Sequence, residues 1–370
     1  MKGKHINLSL IQPKMRTIIV VMIALAIVVA GCELIEGIES GYDTYQPPAQ
    51  STQTTPTGAV TSTITSVIRD DGVIDVHFCP IENCTKYWIE FADQAERTLH
   101  CALYELNEPN IKDFLEQKQE EVDLQVVIDA DSENDTEIQN LVIDKGGALM
   151  HNKFCVIDDK YLITGSMNPT VNDATKNNNN LLLIHSEKIA ALYEQEFDEL
   201  WNKKRNNKTE TSPFIFNTTQ IAIYFCPEDE CADKVIKELQ KAEKEIYFMT
   251  FSFTHTGITN EILLKHNNSV EVKGVFERRQ NSDYTPYETF LYQGMDVYLD
   301  ANKNTMHHKV WVIDALTVIT GSMNPTKNGD ERNDENLLII KDKDIAAQYL
   351  EEFWRVYDAA KEKEENKTVE

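Results

Sequence analysis

Two stretches decide how the chain is read: HNKFCVIDDKYLITGSMN, residues 151–168, and HHKVWVIDALTVITGSMN, residues 307–324. In both, Lys follows His by two positions, Asp by seven, Gly by fourteen, Ser by fifteen and Asn by seventeen. Residues two apart on a strand share a face, so His151 projects with Lys153 and His307 with Lys309. The Gly165-Ser166 and Gly321-Ser322 turns return the chain towards that face with a hydroxyl, a backbone N–H and the amides of Asn168 and Asn324. One His, Lys, Ser and Asn per copy make a poor metal site, so neither metal nor cofactor is expected. They make a good oxyanion pocket: two lysines and neutral donors suit a phosphate monoanion. Two histidines on opposite sides of it supply a nucleophile and an acid.

The repeat extends outward. VHFCPIENC near Val76 and IYFCPEDEC at Ile223 each end a β-type run in Cys-Pro, with a second cysteine five residues after the first. After each come a helical pattern, two β-rich runs, the His-x-Lys copy, a further strand and a closing amphipathic helix. Strands alternating with helices predict an α/β fold in each half. Cys79–Cys84 and Cys226–Cys231 are read as local disulfides rather than zinc ligands, because a five-residue step is not the usual metal knuckle. Cys101 and Cys155 fall inside apolar strands and read most simply as buried small hydrophobes, with their pairing left open.

The chain has 370 residues, enough for about two domains, and a formal net charge of −25. A surface that acidic repels polyanions and argues against non-specific nucleic-acid binding. Lys14 and Arg16 precede an apolar run over residues 18–30 that ends in Gly31-Cys32. At about thirteen residues the run is short of the ~20 a transmembrane span needs, and its flanks describe a signal peptide. The small residues before Cys32 resemble a lipobox, which would make Cys32 the acylated first residue of an exported lipoprotein. The following Pro/Thr/Ser/Gln-rich stretch reads as a tether. The expected layout is a signal peptide over 1–31, lipidated Cys32 and tether over 32–72, a first half over 73–205, a linker over 206–218, a second half over 219–360 and a charged tail over 361–370.

The doubled pattern His-x-Lys-x4-Asp-x6-Gly-Ser-x-Asn resembles the phospholipase D superfamily, and the resemblance covers about residues 73–357. It implies two pseudo-equivalent α/β sandwich halves packed around one shared active site, and metal-independent phosphodiester cleavage through a phosphohistidine. It makes His151 and His307 the chemical pair, with His151 as nucleophile and His307 as general acid. Lys153, Lys309, Asn168 and Asn324 bind phosphate oxygens, supported by Ser166 and Ser322; Asp158 and Asp314 are structural. Relatives carry an acid about a dozen residues beyond Gly-Ser that orients a histidine. Glu335 stands there in the second half, thirteen residues after Ser322, whereas Asn179 holds the matching position in the first. Residues 300–305 are expected to add a lip over the site that the first half lacks.

The expected function is that of an exported, membrane-anchored phosphodiesterase acting on phospholipid head groups. The alternatives are an extracytoplasmic metal-independent nuclease and an inactive ligand-binding module. The partners expected are a phospholipid or nucleic-acid phosphodiester and the membrane. With both half-sites in one chain, a monomer suffices.

Overall fold

The computed structural model describes residues 68–132, 136–203, 214–216 and 218–367, all within one compact unit, Thr63–Glu370. The expected signal peptide, Cys32 and most of the expected tether and linker lie outside the described residues.

Each half is built on a mixed sheet. In the first half seven strands run in the order Val73–Cys79, Asn179–His185, Tyr161–Gly165, Lys153–Ile157, Thr98–Leu103, Asp123–Asp129 and Leu141–Asp144. The second half repeats that order with Thr219–Cys226, Glu335–Lys341, Thr317–Gly321, Lys309–Ile313, Glu245–Thr250, Glu271–Phe276 and Asp296–Leu299. His-x-Lys strand and Gly-Ser strand are antiparallel neighbours in both, which brings the two ends of each motif together.

Two helices join the halves. In Glu187–Trp201, the buried Ile189, Leu192, Tyr193, Phe197 and Leu200 recur at helical spacing, and Ser186 caps the helix by accepting from the Ile189 N–H. Its counterpart, Lys343–Lys367, buries Tyr349, Phe353 and Tyr357. These side chains share one hydrophobic cluster with Phe78, Phe154 and Leu182 of the first sheet and Tyr247, Val310 and Leu338 of the second. The halves therefore share a core and do not merely touch. Separate clusters line the far side of each sheet.

Three boundaries differ from the expected layout. Ile68–Asp70, placed in the tether, pairs with Phe214–Phe216, placed in the linker, and both extend the second half's sheet. The last helix runs through the expected tail to Lys367. A three-residue strand carries too little pattern to be seen alone; here its partner lies almost 150 residues away in sequence.

Disulfides join Cys79 to Cys84 and Cys226 to Cys231, as expected. A third joins Cys101 to Cys155, so these are not simply buried hydrophobes. The two are register partners on neighbouring antiparallel strands, with Cα atoms 4.1 Å apart.

Candidate active site

Asp158 and Asp314 fix the hairpins that carry the motif. Both occupy the left-handed region, at φ 55° and 53°. The Asp158 carboxylate accepts from the backbone N–H groups of Glu96, Arg97 and Thr98. Asp314 does the same for Glu243, Lys244 and Glu245. Burial works against the Asp158 charge, but the three N–H groups outweigh it and hold the carboxyl below its ordinary range. Each aspartate thus ties its hairpin to the start of the neighbouring strand.

The Gly-Ser turns require glycine. Gly165 and Gly321 have φ of 131° and 136°, and a Cβ there would lie 2.5 Å and 2.4 Å from the carbonyl oxygens of Asn180 and Asn336. Each following serine is fully buried. Ser166 Oγ accepts from the Asn180 N–H and donates to Asn179 Oδ1. Ser322 Oγ accepts from the Asn336 N–H and donates to Glu335 Oε2 at 2.7 Å. The serines expected to support phosphate thus hold the residues that orient the histidines.

The orienting contacts cross between halves. Nδ1 of His151 lies 2.7 Å from Oε2 of Glu335, and Nδ1 of His307 lies 2.9 Å from Oδ1 of Asn179. With Nδ1 engaged, Nε2 is the ring nitrogen each histidine can offer to the pocket they both line, which has a volume of about 590 Å³. His151 and His307 are 5% and 7% exposed, so both can meet a ligand from one side only. Burial, with the Lys153 and Lys309 charges next, pulls His151 well below its ordinary value. Burial and Lys309 push His307 down to about 4, against Asp173 acting upward.

Beneath the histidines the two lysines are buried, with Lys153 Nζ 2.5 Å from the His151 carbonyl and Lys309 Nζ 2.8 Å from that of His307. Burial takes Lys153 down to about 8 despite neighbouring carboxylates, and burial, with the Lys153 charge next, pulls Lys309 well below its ordinary value. An arriving phosphate anion relieves both. Asn168 and Asn324 line the pocket.

Sequence reasoning missed three features. Tyr104 and Phe251 form equivalent walls: each ring centroid lies 4.8 Å from that of the neighbouring histidine, and a lysine Nζ lies 5.0 or 5.1 Å away. Glu105 beside Tyr104 also lines the pocket, its carboxyl raised by burial and then by Asp173. Asp173 is the third. It is buried, with Oδ2 3.3 Å from His307 Nδ1, and it accepts from the Asn168 N–H and Nδ2 and from Asn177 Nδ2. An acid five residues past Asn168, in a half lacking one at Asn179, was the available signal.

The expected lip is present twice. Seven positions separate Asp300 from His307 and Asp144 from His151, so the first half lacks nothing in length. Thr305 N–H donates to Asn177 Oδ1, and Leu149 N–H faces Asn333 Oδ1 in the equivalent place.

A family model described as "Cardiolipin synthase, PLD-like domain" matches residues 88–201 and 235–357. A phospholipase D of Rickettsia typhi is 30% identical over 135 residues, 36% of this chain and 66% of that protein. A mitochondrial cardiolipin hydrolase of Xenopus tropicalis is 28% identical over 155 residues, 40% of this chain and 72% of that protein. The match thus spans about two-thirds of these curated relatives' length. In the solved structure of phosphatidylserine synthase from Haemophilus influenzae, 85% of the chain superposes on 75% of this one, with a TM-score of 0.60 and 14% identity.

Proposed function

The chain belongs to the phospholipase D superfamily, and from that membership we propose that it is a phosphodiesterase working through a phosphohistidine. The observation that carries this reading is the pair of cross-held histidines on one pocket, each Nδ1 tied to the opposite half. His151 Nε2 attacks phosphorus while His307 Nε2 gives its proton to the departing oxygen. Water then attacks the phosphohistidine, His307 takes a proton back, and the N–P bond breaks. Lys153, Lys309, Asn168 and Asn324 neutralise and bind the phosphoryl oxygens.

Phospholipid head groups are the favoured substrates. The relatives named above are phospholipase D and cardiolipin hydrolase enzymes. Glu105 on the pocket wall, with Asp129, Asp131 and Asp144 in the neighbouring cleft, disfavours a long polyanion. Export and anchoring through Cys32 belong to the same proposal. Six of the seven cysteines form disulfides, which fits an oxidising compartment, and Cys32 is the seventh. One chain supplies both half-sites, so the working unit is a monomer.

The test is to give the full-length chain, with EDTA, phospholipid vesicles on one hand and single- and double-stranded DNA on the other. Head-group release without DNA cleavage is expected. DNA cleavage alone would overturn the lipid reading, and loss of turnover in EDTA would overturn the mechanism. Cys32→Ser should release the chain from membranes with its activity intact; persistent membrane association would overturn the anchor.

A further inference from the structure

We propose that Asp173 is the first half's orienting carboxylate, acting on His307 as Glu335 acts on His151. This rests on the phosphohistidine reading above and adds a positioning residue to it.

The repeat itself supplies the argument. Counting 156 residues from Ser166 to Ser322 places Asn179 opposite Glu335 and Asp173 opposite Gly329. At the first pair the amide has kept the geometry and lost the charge. Asn179 Oδ1 meets Ser166 and His307 as Glu335 Oε2 meets Ser322 and His151. An amide fixes a tautomer but cannot stabilise an imidazolium as a carboxylate does. At the second pair the charge reappears: Asp173, in the helical turn Val171–Thr175, reaches the same Nδ1 from one side.

A third pair of equivalent residues marks the two acids as doing one job. Asn177 and Asn333 are also 156 apart. Asn177 donates to Asp173 Oδ1 at 2.6 Å, and Asn333 donates to Glu335 Oε1 at 3.3 Å. In each half the same asparagine supports the carboxylate, wherever along the chain that carboxylate sits. The second half has no room for the alternative, since a Cβ on Gly329 would lie 2.3 Å from the Asn324 carbonyl oxygen.

The charges agree. Lys153 and Lys309 are both buried, and buried charges need partners. Asp173 and Glu335 are the two carboxylates that act on both lysines, each favouring the charged form against burial. Burial opposes the Asp173 charge, yet His307, Asn177 and the Asn168 N–H hold its carboxyl well below the usual range.

The test uses the full chain with Asp173→Asn, Asp173→Gly and the exchange Asp173→Gly/Asn179→Glu, which copies the second half's arrangement. Two measurements are made: titration of the His307 imidazole by NMR, and turnover of phosphodiesters with an alkyl or a 4-nitrophenyl leaving group. Asp173→Asn should lower the His307 midpoint by about one unit or more. It should slow the alkyl ester by roughly 10²-fold and the 4-nitrophenyl ester, whose leaving group needs no proton, far less. The exchange should regain most of what Asp173→Gly loses, in midpoint and in turnover, which a merely misfolded turn would not. An unmoved midpoint in Asp173→Asn, or equal loss for both leaving groups with no recovery in the exchange, overturns the proposal. A wild-type chain that turns over no phosphodiester overturns the functional reading instead, and the His307 titration still decides the role of Asp173.

Discussion

Nδ1 of His151 and Oε2 of Glu335 lie 2.7 Å apart although 184 residues separate them, so each half's histidine is set by the other half. Burial raises the Glu335 carboxyl to about 7, against the Lys153 charge and the Ser322 hydroxyl. The positive charge that appears on His151 when it bonds phosphorus therefore arises beside a carboxyl oxygen already in contact with its Nδ1. Glu335→Gln keeps the shape and removes the charge. Its kcat should fall by roughly 10²-fold or more, with an unchanged near-ultraviolet circular dichroism spectrum. Near-wild-type kcat would mean that the amide suffices.

The repeat made much of this site legible. Two copies at fixed offsets gave both histidines, both lysines, the pocket-lining asparagines and the carboxylate at Glu335. Which histidine Glu335 serves was open, because sequence spacing does not say how two halves dock. Asp173 was hidden for a different reason: its counterpart is Gly329, so comparing the halves shows a gap where the structure has an acid. The Cys101–Cys155 bond depends on strand register, and the strand Ile68–Asp70 depends on a partner far along the chain. Neither is a local property of the residues involved.

The two histidines should separate chemically. His151→Ala should form no covalent intermediate. His307→Ala should form it slowly with a 4-nitrophenyl phosphodiester, whose departure needs no proton. Rapid quenching and peptide mapping of denatured protein read this directly. A phosphohistidine found at His307, and surviving in His151→Ala, would reverse the two roles.

Proton inventory fixes the direction of the pH dependence. His151 must be neutral to attack, and burial, Lys153 and Lys309 lower it, so it stays competent below pH 6.5. His307 must be protonated to donate, and burial with Lys309 and Lys153 takes it to about 4 in the free protein, while Asp173 acts upward. Raising the pH therefore removes the required proton, and kcat/KM for an alkyl ester should peak below pH 6.5 and fall on the alkaline side. The limbs belong to the coupled pair, not to either ring. In kcat the alkaline limb should move upward, because bound phosphate offsets the lysine charges. A kcat/KM maximum above pH 8 would contradict the assignment of His307 as the acid.

The Cys101–Cys155 bond should matter more to stability than either short disulfide. It closes a loop with a sequence separation of 54, against 5 for Cys79–Cys84 and for Cys226–Cys231. In the chain-entropy account the long loop contributes about 4 kcal/mol and each short one about 2 kcal/mol. It ties the central strand Thr98–Leu103 to Lys153–Ile157, the strand carrying Lys153, whose backbone pairing persists without it. Paired replacement, Cys101→Ala/Cys155→Ala, removes the cross-link and leaves no lone thiol. Its melting temperature should drop by several degrees more than that of Cys79→Ala/Cys84→Ala. Turnover well below the melt should stay within about two-fold of wild type, since both cysteines pack in the separate cluster on the far side of the first sheet. Equal melting of the two variants would show that the unfolded chain is already compact around this strand pair. A large loss of turnover at low temperature would instead make the cross-link part of how Lys153 is held.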